Sequence, residues 1–170
     1  MEIKKRKRLT DSRFLSFIIE NEVYCIDILK VKEILGITII SPVPQTPDYI
    51  KGVINLRGQI IPIIDLRLKF GMELKEYTKR TSIIVIEISY DDELTHMGVI
   101  VDSIQEVICI PEDTISKVSY INGKIQTNFI KGIANTNTGI IIVLNVVEIL
   151  NENEKKLIKS VEDTVELNQN

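Results

Sequence analysis

The chain has no tryptophan, a single histidine, two cysteines, and no uninterrupted apolar run longer than the five residues Ile140–Leu144. Each scarcity removes a class of protein. Five apolar residues fall far short of the roughly 20 needed to cross a bilayer as a helix. Two cysteines, Cys25 and Cys109, both inside apolar runs (Val23–Ile28 and Val107–Ile110), read as free buried thiols of a reducing compartment, not as a disulfide frame or metal site. The lone His96 sits in a predicted turn beside Met97 and Gly98, with no serine or cysteine placed for it to activate, so a solvated residue is the expectation. Phosphate-binding loops, dinucleotide fingerprints, zinc spacings and the HExxH pattern are all missing. The acidic cluster Asp91-Asp92-Glu93 lacks the alternating ligand spacing of a calcium loop. These gaps predict a protein that is not an enzyme and holds neither metal nor cofactor.

What is abundant is isoleucine. The 170 residues include 33 Ile and 14 Val against 4 Phe, with 44% hydrophobic and 26% charged residues. β-Branched side chains pack well on a pleated surface and are stiff in a helix, so the bias favours strands in a folded, cored protein. A net charge of −3 gives no overall pull toward nucleic acid or an anionic membrane. The opening Lys4–Arg8 cluster leads into polar residues, not an apolar stretch, so no signal peptide is predicted and a cytoplasmic location is expected.

Along the chain, residues 1–13 read as a basic flexible tail. Phe14–Ile19 and Val23–Ile26 form a predicted hairpin. Asp27–Gly36 then changes period: Asp27 suits an N-cap, Ile28, Val31, Ile34 and Leu35 share one helical face, and Gly36 ends it, predicting a short helix. A strand over Ile37–Ile40 and an extended proline connector, Ser41–Pro47, follow. Further strands are predicted at Thr81–Tyr90, Met97–Val101 (around the turn Asp91–Thr95) and Gln105–Ile110, with a hairpin at the Asn122-Gly123 dipeptide. Asp65–Gly71 reads as a short helical turn. Beyond Glu148, Leu157, Val161 and Val165 recur every four residues, the stripe of a C-terminal helix over 151–170.

The stretch Ile50–Leu66, IKGVINLRGQIIPIIDL, organises the rest. Two apolar runs flank Asn55-Leu56-Arg57-Gly58-Gln59, predicting a tight hairpin that presents Arg57 at its tip. The same pattern returns 80 residues later as Ile130–Val146, IKGIANTNTGIIIVLNV, with Ile-Lys-Gly, one Asn and Ile-Ile matched in place. A repeated hairpin implies two similar units, so the predicted fold is all-β, a pseudo-symmetric pair of small barrels spanning 14–150. In the second copy Asn137 stands where the first has Arg57, so the charge is not needed to form the turn. An exposed arginine on such a module suits contact with another protein.

The segments FLSFIIENEVYCIDILKVKEI, PDYIKGVINLRGQIIPIIDLRLKFG and MGVIVDSIQEV resemble the CheW family of bacterial chemotaxis coupling proteins, from about Phe14 to Leu150. The resemblance implies two SH3-like five-stranded barrels around a shared core and no catalysis. It also implies a bridge between the cytoplasmic tips of chemoreceptors (methyl-accepting chemotaxis proteins) and the regulatory domain of the histidine kinase CheA, the protein itself being monomeric in isolation, cytoplasmic and recruited to receptor arrays. By position, the receptor-facing residues it implies are Val31, Glu33, Lys51, Gly52 and Arg57; the kinase-facing ones are Ile39, Ile40, Pro42 and Val43. Leu35 departs from the family pattern, in which an arginine is common there. Val31 is also open to a reading as core. A nucleic-acid-binding barrel is the rival class; it would need stacking aromatics on a strand face, for which Phe14, Phe17 and Tyr24 are the candidates.

Overall fold

The computed structural model describes residues 13–118 and 128–168. The predicted Asn122-Gly123 hairpin and most of the basic tail lie outside them.

Among the described residues there are eleven strands and two α-helices, the strands following the isoleucine-rich stretches. Strands β1 (Arg13–Ile19) and β2 (Glu22–Asp27) form the first hairpin, and β3 (Val31–Gly36) follows after a single 3-10 turn, Ile28–Lys30. Next come β4 (Ile50–Leu56), β5 (Gln59–Asp65), the four-residue helix α1 (Leu66–Lys69), β6 (Ser82–Tyr90), β7 (Glu93–Val101) and β8 (Ser103–Cys109). The short β9 (Ile115–Ser116), then β10 (Ile130–Thr136), β11 (Gly139–Leu144) and helix α2 (Glu152–Asn168) complete the order. No helix among the described residues is long and apolar enough to cross a membrane.

The strands make two sheets, β8-β1-β2-β11-β10-β9 and β3-β6-β7-β5-β4. In the second, Leu35 from one edge and Ile54 from the other meet in one apolar cluster with Ile61, Ile63, Ile83 and Val85. A flat sheet would hold its outer strands roughly 19 Å apart. The sheet therefore curls into a small barrel. Phe14, Cys25, Ala134, Ile141 and Val143 fill the other barrel, and a larger cluster from both sheets, including Phe17, Ile26, Ile64, Ile84, Ile86 and Leu144, forms the shared core between them.

The 80-residue repeat holds down to the register. Ile50 opposes Ile64 and Gly52 opposes Ile63 across a bulge at Lys51; Ile130 opposes Leu144 and Gly132 opposes Val143 across the same bulge at Lys131. The Asp65 amide donates to the Tyr49 carbonyl at 2.8 Å and the Asn145 amide to the Phe129 carbonyl at 2.7 Å. Both side chains then cap the following turn, Asp65 accepting from the Arg67 amide and Asn145 from the Val147 amide. The barrels are not consecutive units, however. The middle of the chain, β3 to β7, builds one, while β1 and β2 join β8 to β11 to complete the other.

Four local expectations are corrected. The predicted helix over Asp27–Gly36 stops after one 3-10 turn capped by Asp27, and β3 pairs with β6 from Val31 to Gly36. Its burial alternates with a period of two, so pairing with the isoleucine-rich β6 wins over the helical spacing. Ile37–Ile40 is not a strand: the chain leaves the sheet after Gly36 and returns for one bridge, Ser41 to Val53. The turn predicted over Asp91–Thr95 shrinks to Asp91 and Asp92, whose φ of 52° and 62° suit a two-residue hairpin turn, and this puts His96 inside β7. Cys109, expected buried, is exposed on the outer strand β8, whereas Cys25 is buried.

Candidate functional site

Glu33 and Arg57, 24 residues apart, meet where the second barrel closes. Arg57 occupies the tip of the β4–β5 hairpin with φ 52°, a conformation an unbranched polar side chain tolerates but Gly or Asn adopts more readily. The Asn55 side chain accepts from the Gly58 amide at 2.8 Å and fixes the turn. The Arg57 guanidinium donates twice, from Nη1 to Glu33 Oε1 at 3.1 Å and from Nη2 to Oε2 at 2.5 Å, the fork-to-fork geometry of a bidentate pair. Arg57 is 71% exposed and Glu33 31%. The hydrogen bond from Arg57 holds the Glu33 carboxyl below the ordinary carboxylate range. These two resemblance-implied residues are thus a single unit, and one that also ties β3 to β4 across the barrel mouth.

A row of polar groups continues from it. Lys32 Nζ lies 3.2 Å from Glu87 Oε2, His96 Nε2 lies 3.3 Å from the same oxygen, and Gln59 Nε2 lies 3.0 Å from His96 Nδ1. Both nitrogens of His96 are therefore engaged by neighbours, in place of the solvated turn residue expected from sequence. Lys32, more than the histidine, holds the Glu87 carboxyl below its usual range. No serine or cysteine joins the row, and no group of three potential ligands capable of holding a metal occurs among the described residues. The surface carries charges of alternating sign.

The remaining implied residues scatter. Val31 is half-buried against the shared core. Lys51 and Gly52 lie at the other end of the hairpin from Arg57, roughly 18 Å along the strand. Gly52 is a packing residue: a β-carbon there would stand 2.0 Å from the Ser41 carbonyl oxygen. Among the four implied kinase-facing residues, Ile39 is 91% exposed and Pro42 is exposed, but Ile40 packs on the second barrel's interior cluster and Val43 against the cluster under α2. The aromatics required by the nucleic-acid reading, Phe14, Phe17 and Tyr24, are all buried, so none offers a stacking face.

Two features were not anticipated. Leu29 and Ile34, placed on the inner face of the predicted helix or passed over, are exposed large apolar residues flanking Val31 and Glu33. Arg67 is buried at 6% and gathers distant partners: Nη1 to Asp102 at 2.7 Å, Nη2 to Glu20, and Nε to the Glu73 carbonyl at 3.2 Å. Since the Glu20 amide donates to Asp102 at 2.8 Å, this network fastens the β1–β2 turn of one barrel to α1 of the other and to the β7–β8 corner where the chain passes between them. An arginine in a DLRLKF run carries no sequence signal for partners 35 and 47 residues away.

The CheW-like domain family matches residues 13–154. The chemotaxis protein CheW of Klebsiella aerogenes is 34% identical over 148 residues, covering 87% of this chain and 87% of that protein. CheW of Helicobacter pylori is 36% identical over 138 residues, 81% of each. Among solved structures, the scaffolding protein TtCheW of Thermoanaerobacter tengcongensis superposes with a TM-score of 0.75 at 36% identity, covering 85% of this chain and 97% of that one.

Proposed function

The chain belongs to the CheW family of non-enzymatic chemotaxis scaffold proteins, and on that premise we propose that it couples chemoreceptor cytoplasmic tips to the CheA regulatory domain, as a monomer recruited to membrane-associated arrays. The single observation that carries this reading is the bidentate Glu33–Arg57 pair at the barrel mouth. An arginine held at positive φ on a hairpin tip, exposed on one side and oriented by a carboxylate on the other, is a pre-set donor for acceptors on a helical receptor tip. Leu29 and Ile34 supply apolar anchors beside it, with Val31 shaping the floor they rise from. Lys51 and Gly52 serve this face indirectly, through the bulge and the close Ser41 approach that set the hairpin.

The kinase-facing surface is the exposed part of the connector, Ile39 and Pro42, with Ile40 and Val43 anchoring it from below. Leu35, where an arginine is common in the family, points into the second barrel's cluster, so any receptor contact from that position is lost here without cost to the fold.

Binding of purified receptor tips tests the reading. Arg57→Ala is expected to weaken capture by at least about fivefold, as for one lost charged hydrogen bond, and Leu29→Asp with Ile34→Asp to abolish it, with unchanged circular dichroism. Full capture by folded Arg57→Ala protein would refute the assignment.

A further inference from the structure

The two barrel mouths share a frame and differ in what fills it. Matching Ile63 to Val143 across the 80-residue repeat carries through the parallel pairings, Ile63 with Gly98 and Val143 with Cys25, and from there to Val85 and Ser16 on the next strands. β8 is therefore the twin of β3: Leu35 opposite Ile83 corresponds to Ile108 opposite Phe14, and Ile34 opposite Ile84 to Val107 opposite Leu15. Both strands then bulge, after which Val31 opposite Ile86 corresponds to Ile104 opposite Phe17. Glu106 thus stands where Glu33 does. At the second mouth Glu33 holds the Arg57 guanidinium, and Gln59 and His96 lie against each other along the same row. At the first mouth these three positions fall to Asn137, Gly139 and Val23, none of them charged and one without a side chain. The smaller set leaves a cleft of about 270 Å³ between Gln105 and Glu106 of β8 and Thr138, Gly139 and Ile140 of the β10–β11 hairpin. Glu106 is the one charged residue among the described residues that line it. The Ser16 hydroxyl fixes its backbone, donating to the Glu106 carbonyl at 2.8 Å and accepting from its amide at 3.2 Å, while its exposed carboxylate has no partner among the described residues.

We propose that the mouth of the first barrel binds an arginine side chain of a partner protein. The twin mouth sets the chemistry: a carboxylate at this bulge accepts a guanidinium fork through two hydrogen bonds, as Glu33 does from Arg57. The donors left over meet uncharged acceptors at the rim, the Gln105 amide oxygen and the Thr138 hydroxyl. Ile140, 58% exposed, offers an apolar wall to the methylene stem. A lysine ammonium has no planar fork to match the carboxylate. Residues 119–127 contain no arginine. The chain's own Arg6 and Arg8 precede Arg13, which lies beside Cys109 at the end of β1 farthest from Val23, and their replacement is one arm of the test. The receptor reading above uses the other barrel's mouth, so the two stand or fall separately.

The test is an NMR titration of the full-length, isotope-labelled protein with acetyl-Leu-Arg-Gly-amide, a probe that copies the Leu56–Gly58 hairpin tip. Saturable shifts at the Gln105, Glu106, Thr138 and Gly139 amides are expected, with the same affinity in protein carrying Arg6→Ala and Arg8→Ala. Binding should weaken at least about tenfold in Glu106→Gln, and equally for the uncharged citrulline analogue of the peptide, as for loss of a charged hydrogen bond. The exposed position of Glu106 leaves the variant's circular dichroism unchanged. Absence of saturable shifts at those amides, or an affinity untouched by Glu106→Gln or by citrulline, would overturn the proposal. Tighter binding in the Arg6→Ala, Arg8→Ala protein would also overturn it, making the occupant the chain's own N-terminal segment. So would self-association in sedimentation that Arg57→Ala removes, making the occupant a second copy.

Discussion

Replacing Gly52 with alanine separates a packing role from a binding role, and its twin Gly132 provides the internal control. At Gly52 the backbone φ is 138°, a region an L side chain adopts only under strain, at about 1–3 kcal/mol. The new β-carbon would also stand 2.0 Å from the Ser41 oxygen and 2.6 Å from its carbonyl carbon, both backbone atoms. To clear it, the Ser41 backbone must retreat by more than about 1 Å, which breaks the reciprocal Ser41–Val53 hydrogen bonds, each 2.9 Å now, at about 0.5–1.5 kcal/mol apiece. The sum is about 2–6 kcal/mol, a large share of the 5–15 kcal/mol typical of a domain. At Gly132 the φ is ordinary, and the nearest atom, Ile115 Cγ2 at 2.5 Å, belongs to a side chain, although the Ser116 oxygen at 2.6 Å does not yield as easily. Gly132→Ala is therefore expected to cost about 1–2 kcal/mol, the range of a modest overpacking defect. In urea unfolding with a slope near 2 kcal/mol/M, Gly52→Ala should lower the midpoint by about 1 M or more and Gly132→Ala by about half that. A Gly52→Ala midpoint indistinguishable from wild type, or a larger loss at Gly132, would refute the packing argument. Any receptor-binding defect of Gly52→Ala would then belong to the face and not to the fold.

Two further outcomes follow from the titratable groups. Burial pushes the Cys25 thiol up to about 12 while Cys109 is exposed, so a thiol reagent at neutral pH should label Cys109 quickly and Cys25 only after denaturation; rapid labelling of both would contradict the burial of β2. Glu154 is partly buried, which raises its carboxyl, but Lys69 and the groups beside it outweigh that and hold it below the ordinary range; Glu33 and Glu87 are likewise held low by Arg57 and Lys32. A lowered folded-state value means stability that is present above the unfolded carboxylate pKa and lost as pH falls through the folded one. The thermal midpoint should therefore drop below about pH 4, less steeply in Glu154→Gln, and a midpoint flat down to pH 3 would contradict these pairings.

The legible parts of the sequence were those set by local chemistry. Asn55, Gly58 and the flanking isoleucines specify the β4–β5 hairpin on their own, and its recurrence at Ile130 exposed the two-barrel plan. The Leu157-Val161-Val165 stripe likewise marks α2, although Ile158, off that stripe, is buried in the shared core against which Leu157 only partly packs. What escaped was decided by partners far along the chain. Ile28, Val31, Ile34 and Leu35 satisfy a helical period, and only the hydrogen-bonding edge of β6, about 50 residues later, turns the last three into a strand. Nothing local shows that β1 pairs with β8 and β2 with β11, the exchange that interleaves the barrels. The family resemblance placed Glu33 and Arg57 on one surface, but their mutual pairing across the barrel mouth emerges from the curl of the sheet.

The most direct test of the coupling role is a bridging measurement with three purified components. Receptor tips are immobilised, the CheA regulatory domain is offered alone or together with this protein, and the retained kinase domain is quantified. Retention of the kinase domain that requires this protein, and that is lost with Arg57→Ala while the variant still binds the kinase domain in solution, is the predicted result. Competition, in which receptor tips displace the kinase domain from the protein, would contradict the coupling account.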